Sequence, residues 1–283
     1  MKPYFRLSVS ALAAAVALLS AASCNRKPVA IDCMPVSYAD TTENLNLSID
    51  LELPVAARGP ARTVRDTLLA VFVDQLESFG YSEDYATVLD PYKGDRKDIQ
   101  AQVAHYGSQI SHYLDSLAAE DRSAFLVYSE FAPSWDYSAD MTKIAETDSY
   151  VVFNSSNYVY MGGAHGGITG AGDLTFRKSD GRIVRDIIDR DRVGEMQDII
   201  REGLESFIAD GGGVREDIDF VFTEGGIFPL PVWEPALSED GVVFLYQQYE
   251  IAPYAFGMPT FTVPYEVMME FLTPEARDLV LSD

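Results

Sequence analysis

The chain has 283 residues, with 44 Asp and Glu against 21 Lys and Arg, a formal charge of −23. That balance excludes a nucleic-acid binder, which needs a basic footprint for the phosphate backbone, and it disfavours docking on anionic lipid headgroups. A hydrophobic share of 47% with 12% aromatics excludes a disordered chain and supplies core for one large domain or two small ones.

The first segment reads as a leader. Lys2 and Arg6 precede a mostly apolar run from Leu7 to Ser20, and the small residues Ala21, Ala22 and Ser23 precede Cys24. The run is shorter than the roughly twenty residues a membrane-spanning helix needs. Charged start, apolar centre and small residues before a cysteine form a lipoprotein signal, with residues 1–23 removed and Cys24 lipidated. Ala21 stands where Leu is commonest. Removal of 1–23 takes two cations and no acid, so the mature charge is −25. Asn25 follows the cysteine where Asp would favour inner-membrane retention. Asn25-Arg26-Lys27 also lacks the acidic cluster associated with surface export. The expectation is a periplasm-facing protein tied to the outer membrane by lipid alone. With Cys24 lipidated, Cys33 has no intrachain partner, and no structural disulfide is expected.

Residues 24–43, polar and marked by Pro28 and Pro35, read as anchor and tether. Leu45, Leu47, Ile49, Leu51 and Leu53 alternate with polar residues as in a half-buried strand that Pro54 ends. Helical spacing follows over 62–79, from Val64 to Phe79, with Gly80 as a stop. A second helix is read over 95–118, through Ile99, Val103, Ile110 and Leu117. Residues 44–122 thus make a small α+β unit.

From residue 123 the texture turns aromatic and β-branched. Segments 124–131, 140–154 and 157–161 read as antiparallel strands. GDLTF (172–176), a turn at Ser179-Asp180-Gly181 and RIVRDII read as a hairpin. A helix is expected over 191–209, a strand over 241–249, another over 260–263 and a short helix over 264–272. Strands and helices do not alternate regularly. The expected class is therefore α+β with a mainly antiparallel sheet and two sub-domains, the second covering 123–283.

Two stretches of this second unit are more specific than composition. One is Tyr158-Val159-Tyr160-Met161-Gly162-Gly163-Ala164-His165-Gly166. The other runs Phe244-Leu245-Tyr246-Gln247-Gln248-Tyr249-Glu250-Ile251-Ala252-Pro253-Tyr254-Ala255-Phe256-Gly257, with Val263-Pro264-Tyr265 beyond it. Together they resemble the extracytoplasmic domain shared by the anti-sigma factor RsiV and the non-catalytic part of the peptidoglycan deacetylase PdaC. Segment 45–118 resembles, in layout, the smaller domain that precedes it there. The resemblance implies a two-part α+β fold and a binding surface. RsiV-type proteins bind lysozyme, whereas PdaC-type proteins act on peptidoglycan through a separate deacetylase domain that has no counterpart in these residues.

Each candidate group admits a functional and a structural reading. His165, held among Gly162, Gly163, Gly166 and Gly167, either presents its imidazole to a ligand or hydrogen-bonds a neighbouring strand and locks the turn. Tyr246, Tyr249, Glu250, Tyr254 and Tyr265 either form a ligand platform or pack at a strand end with hydroxyls bonded to loop backbone. The same alternatives hold for Trp135 and Trp233, as exposed anchors or core covers. The ligand-binding set read from the sequence is Tyr160, Gly163, His165, Tyr249, Glu250 and Tyr254.

No catalytic residue, metal site or cofactor is read. His105 and His112 share a helical face but lack a H-E-x-x-H motif or a cysteine pair. Asp189-Arg190-Asp191 and Asp217-Ile218-Asp219 lack calcium-loop spacing, and there is no G-x-S-x-G. The reading is a non-enzymatic envelope lipoprotein whose partner is a basic protein such as lysozyme or a peptidoglycan fragment. The alternatives are a glycan-acting hydrolase, requiring a converging carboxylate pair, and an envelope scaffold.

Overall fold

The computed structural model describes residues 30–78, 86–126, 134–162, 167–211 and 213–282. Cys24 and the leader, and Gly163 and His165 in the glycine run, lie outside the described residues.

Five strands form one sheet in the order β1 (Cys33–Thr41), β2 (Leu45–Pro54), β3 (Trp135–Glu146), β4 (Tyr150–Tyr160), β5 (Gly167–Arg177). Every pairing is antiparallel except β2 with β3, which run parallel from Leu45↔Trp135 to Leu51↔Met141. That parallel step is made by a crossover through α1 (Pro60–Glu77) and α2 (Ile99–Phe125). The sheet therefore joins strands from both sides of the division expected at residue 122.

The elements follow from local chemistry. In β2 the leucines and Ile49 face inward while Asn46 and Asp50 are exposed, as strict alternation demands. Pro60 opens α1 at its first turn, after Gly59 at φ 77, and Val64, Leu68, Phe72 and Leu76 bury one stripe. Asp98 caps α2, its carboxylate accepting from the Ala101 amide at 2.9 Å. Gly107 lets α2 approach β1, since a Cβ there would stand 2.5 Å from the Tyr38 ring.

Two expectations for the first half of the chain are corrected. Residues 33–41 are not tether but strand β1, an edge strand that buries only Val36 fully and so has no apolar periodicity to read. Its place comes from backbone pairing with β2, and Pro35, which lacks an N–H, is tolerated at a sheet edge. The strand expected over 124–131 does not begin at 124. After Gly107 no glycine or proline interrupts the sequence before Pro133, and α2 runs on through Ala124 to Phe125. Residues 127–131 lie outside the described residues.

The second layer holds a 3-10 turn (Arg190–Met196), α3 (Gln197–Asp210), a second 3-10 turn (Arg215–Phe220), a third (Tyr254–Phe256), α4 (Tyr265–Met268) and α5 (Pro274–Leu281). Its strands are β6 (Ala236–Leu237), β7 (Gly241–Leu245) and β8 (Thr260–Pro264), in that antiparallel order. The expected strand 241–249 stops at Leu245, the expected hairpin arm after Gly181 is reduced to a single Phe176↔Ile183 bridge, and the expected helix 264–272 ends at Met268. The molecule is thus α+β; the helices cover one face of the sheet, and the second layer covers the other at β4, while Asn46 and Asp50 leave that face of β2 exposed. Val151 and Phe153 of β4 face α1 and α2, whereas Tyr150 and Val152 face the second layer.

Candidate functional site

The site is built where the loop after β7 meets the open edge of β5. Tyr246 is fully buried and donates its hydroxyl to the Pro229 carbonyl at 2.8 Å. Burial, with the charge of Glu250, pushes that phenol well above its ordinary value. The next two side chains take the place of a sixth strand. The Gln247 amide donates to the Ala171 carbonyl at 2.7 Å and accepts from the Ala171 amide at 3.0 Å, while Gln248 accepts from Thr169 at 2.8 Å. These bonds satisfy edge groups that would otherwise invite another chain. Farther along the same edge, the Trp233 indole lies against Gly172, where any Cβ would run into it.

Glu250 braces the loop internally. One carboxylate oxygen accepts from the Val232 amide at 2.6 Å and the other from the Gln247 amide at 2.7 Å. Tyr265 is likewise internal, donating to the Ser238 carbonyl at 2.7 Å, which also takes the Tyr150 hydroxyl at 2.9 Å. Trp135 is buried at the start of β3, its indole N–H 3.4 Å from Asp121.

Tyr249 is different. Among the described residues it alone combines a side chain with a positive φ, at 65°. For a bulky residue that conformation is costly and persists only when its surroundings enforce it. The turn enforces it here: Gln247 and Glu250 are fixed on either side, and Tyr249 is left 49% exposed. It stands 5.5 Å from the Tyr254 ring, tilted by 38°. Two apolar side chains are tied to the same loop through backbone. Phe222 (62% exposed) donates its N–H to the Ile251 carbonyl at 2.6 Å, and Val232 (76% exposed) donates to Glu250. A small cleft of about 230 Å³ is lined by Phe207, Ile208 and Asp217 together with Ala255 and Phe256, which follow Tyr254.

Tyr158 and Tyr160 come to this end from β4. The Tyr158 hydroxyl is raised by burial and by Asp136, Tyr254 and Tyr160, and it lies 2.9 Å from the place a Cβ on Gly167 would occupy. Tyr160 pairs with Gly167 at the end of the antiparallel β4–β5 ladder.

The structure thus brings together Tyr160, Tyr249, Glu250 and Tyr254 of the sequence-read set, with Glu250, Tyr246 and Tyr265 committed to internal bonds. Phe222 and Val232 were not singled out by the sequence. They sit in a loop without periodicity, where only an apolar residue amid turn formers marks them. His105 lies in the helical layer, its Nε2 2.7 Å from the Asp90 carbonyl, and His112 is exposed on α2. Among the described residues no group of three or more His, Cys, Asp or Glu could hold a metal ion, and no helix is long and apolar enough to cross a membrane.

A family model described as a protein of unknown function, DUF3298, matches residues 234–266, which hold β6, β7, β8 and the loop carrying Tyr249. No curated protein matches the chain. Among solved structures, a DUF3298-family member from Bacteroides fragilis is 20% identical with a TM-score of 0.61, covering 90% of this chain and 99% of that one. A DUF3298 family protein from Pseudomonas aeruginosa is 16% identical with a TM-score of 0.55, covering 88% and 96%. The chain thus matches the DUF3298 model over this one stretch and shares its fold with these two DUF3298 proteins.

Proposed function

We propose that this protein is a non-enzymatic envelope lipoprotein, lipidated at Cys24, whose second layer binds a protein or cell-wall glycan through the Tyr249–Tyr254 face. The observation that carries the reading is Tyr249 itself. A strained backbone conformation costs about 1–3 kcal/mol, and here it holds an aromatic ring out in solvent beside a second tyrosine. Tyrosine gives large contact area with little loss of freedom and a polar tip for hydrogen bonding. Phe222 and Val232, whose backbones bond to the same loop, are exposed apolar residues as well, and apolar groups exposed near one another mark interaction sites. Glu250, with both oxygens engaged by amides, is a brace and not a free acid or base.

The resemblance to RsiV-type domains and the acidic surface single out a basic protein such as lysozyme as the partner to try. The test is a titration of the delipidated mature chain, residues 25–283, with lysozyme at low and near-physiological salt, beside an unrelated protein of similar basicity. Saturable one-to-one binding that survives salt and is absent with the control supports the reading. Binding that disappears with salt, or is equal with the control, reduces the interaction to net charge.

A further inference from the structure

We propose a second, unrelated site in the helical layer: an anion pocket that takes a phosphorylated sugar. In a chain of charge −23, six of the 21 cations fall in two short segments, Arg58, Arg62 and Arg65 around the start of α1, and Lys93, Arg96 and Lys97 before α2. The fold brings these segments to one cavity of about 390 Å³, lined by Arg62, Arg65, Arg96 and Lys97 together with Tyr92 and Tyr106. Two carboxylates share that lining, Asp66 and Asp95, which leaves a local excess of positive charge.

The cations are not equivalent. Arg65 is buried and preorganised, its guanidinium donating to the Ala56 carbonyl at 2.6 Å and to Asp66 at 3.1 Å. Arg62 holds the other oxygen of Asp66 at 3.2 Å. Arg96 and Lys97 form no ion pair among the described residues, whereas Arg122, Arg177, Arg190 and Arg192 all do. Unspent guanidinium and ammonium groups facing a cavity suit a phosphoryl group, which accepts several charge-assisted hydrogen bonds at once.

The rest of the lining sets the kind of molecule. A cavity of this volume falls in the range of small-molecule pockets and is larger than one phosphoryl group needs. Its tyrosine wall is rigid: the Tyr106 hydroxyl accepts from the Tyr92 amide at 3.1 Å, and Tyr92 packs edge-on against His105 with ring centroids 5.5 Å apart. Such a wall takes the face of a sugar ring, with hydroxyls left for Gln102 and Asp95. The long-range field of the chain repels anions, but salt confines it to about 8 Å at physiological ionic strength, so the local excess decides binding.

The test is calorimetric titration of the mature chain with glucose 6-phosphate, inorganic phosphate and glucose at physiological salt. The expected result is saturable one-to-one binding of glucose 6-phosphate, weaker binding of phosphate and none of glucose. The double variant Arg96→Gln/Lys97→Gln removes two exposed cations without breaking an ion pair, so it folds, and it weakens binding by about tenfold or more. Arg185→Gln, which removes an exposed cation elsewhere, leaves it unchanged. Equal affinity for phosphate and glucose 6-phosphate overturns the sugar part of the proposal. Absence of binding by either phosphate ligand, or equal losses in the Arg96/Lys97 and Arg185 variants, overturns the site.

Discussion

The two faces of the five-stranded sheet are covered in different ways. On one face, α1 and α2 lay long apolar stripes onto β1–β5, and the contacts are side chain on side chain. On the other, α3, short strands and 3-10 turns bury an apolar core of their own, through Ile200, Leu204, Phe244 and Phe261, and side chains bonded to backbone pin its loops as well: Gln247 to Ala171, Gln248 to Thr169, Glu234 to the amides of Ile187 and Ile188, Glu250 to Val232 and Gln247. The first layer draws its stability from buried area, which is non-directional and tolerant of small shifts. The second buries apolar area too and adds directional bonds at a few atoms, a construction that fixes an exposed loop without burying it.

This contrast sets the expected effects of mutation. The largest is in the helical layer, where Phe72 is fully buried. Phe72→Ala leaves a cavity and lowers stability by about 3–5 kcal/mol, measured by denaturant unfolding. In the second layer Gln247→Ala strands both the N–H and the C=O of Ala171, so the expected loss is about 1–3 kcal/mol. Hydrogen exchange at Thr169 and Ala171 rises with it, while amides in α1 and α2 keep their protection. A uniform loss of protection across both layers would contradict the separation drawn here.

The smallest effect is a pH dependence in the first layer. Burial alone raises the Glu146 carboxyl, but bonds from Lys178 at 2.7 Å, Lys143 at 2.9 Å and the Ile31 amide outweigh it and hold the group below its ordinary value of 4.5. Because the folded-state value is the lower one, the stabilisation is present above the unfolded-state value. It is lost as pH falls through the folded one. Thermal unfolding followed downward from neutral pH should therefore show a steeper decline in the wild type than in Glu146→Gln. Parallel curves would assign the decline to other acids.

The same contrast decides what the sequence makes legible. Strand β2 and both long helices are readable because their apolar residues recur at the period of the element, in Leu45 to Leu53 and in Val64 to Leu76. Edge strand β1 is not, because an edge needs backbone partners and only one buried side chain. The second layer is readable in pieces. Phe244 and Val263 announce strands, but Tyr246 to Pro253 continues the same aromatic texture after the strand has ended, and texture does not reveal a positive φ at Tyr249. Tyr249 and Tyr254 are visible as residue types. Their separation from Tyr246 and Tyr265, which look the same in sequence and are internal, depends on hydrogen bonds to Pro229 and Ser238 that bridge distant segments.

The central claim is that Tyr249 is strained for the sake of what it presents. The most direct test is Tyr249→Gly, assayed by thermal unfolding and by the lysozyme titration together. Glycine adopts positive φ freely, so the account predicts a gain in stability of about 1 kcal/mol with a loss of binding of about tenfold or more. A variant that is stabilised yet binds as well as the wild type, or one that loses stability in step with binding, would contradict it.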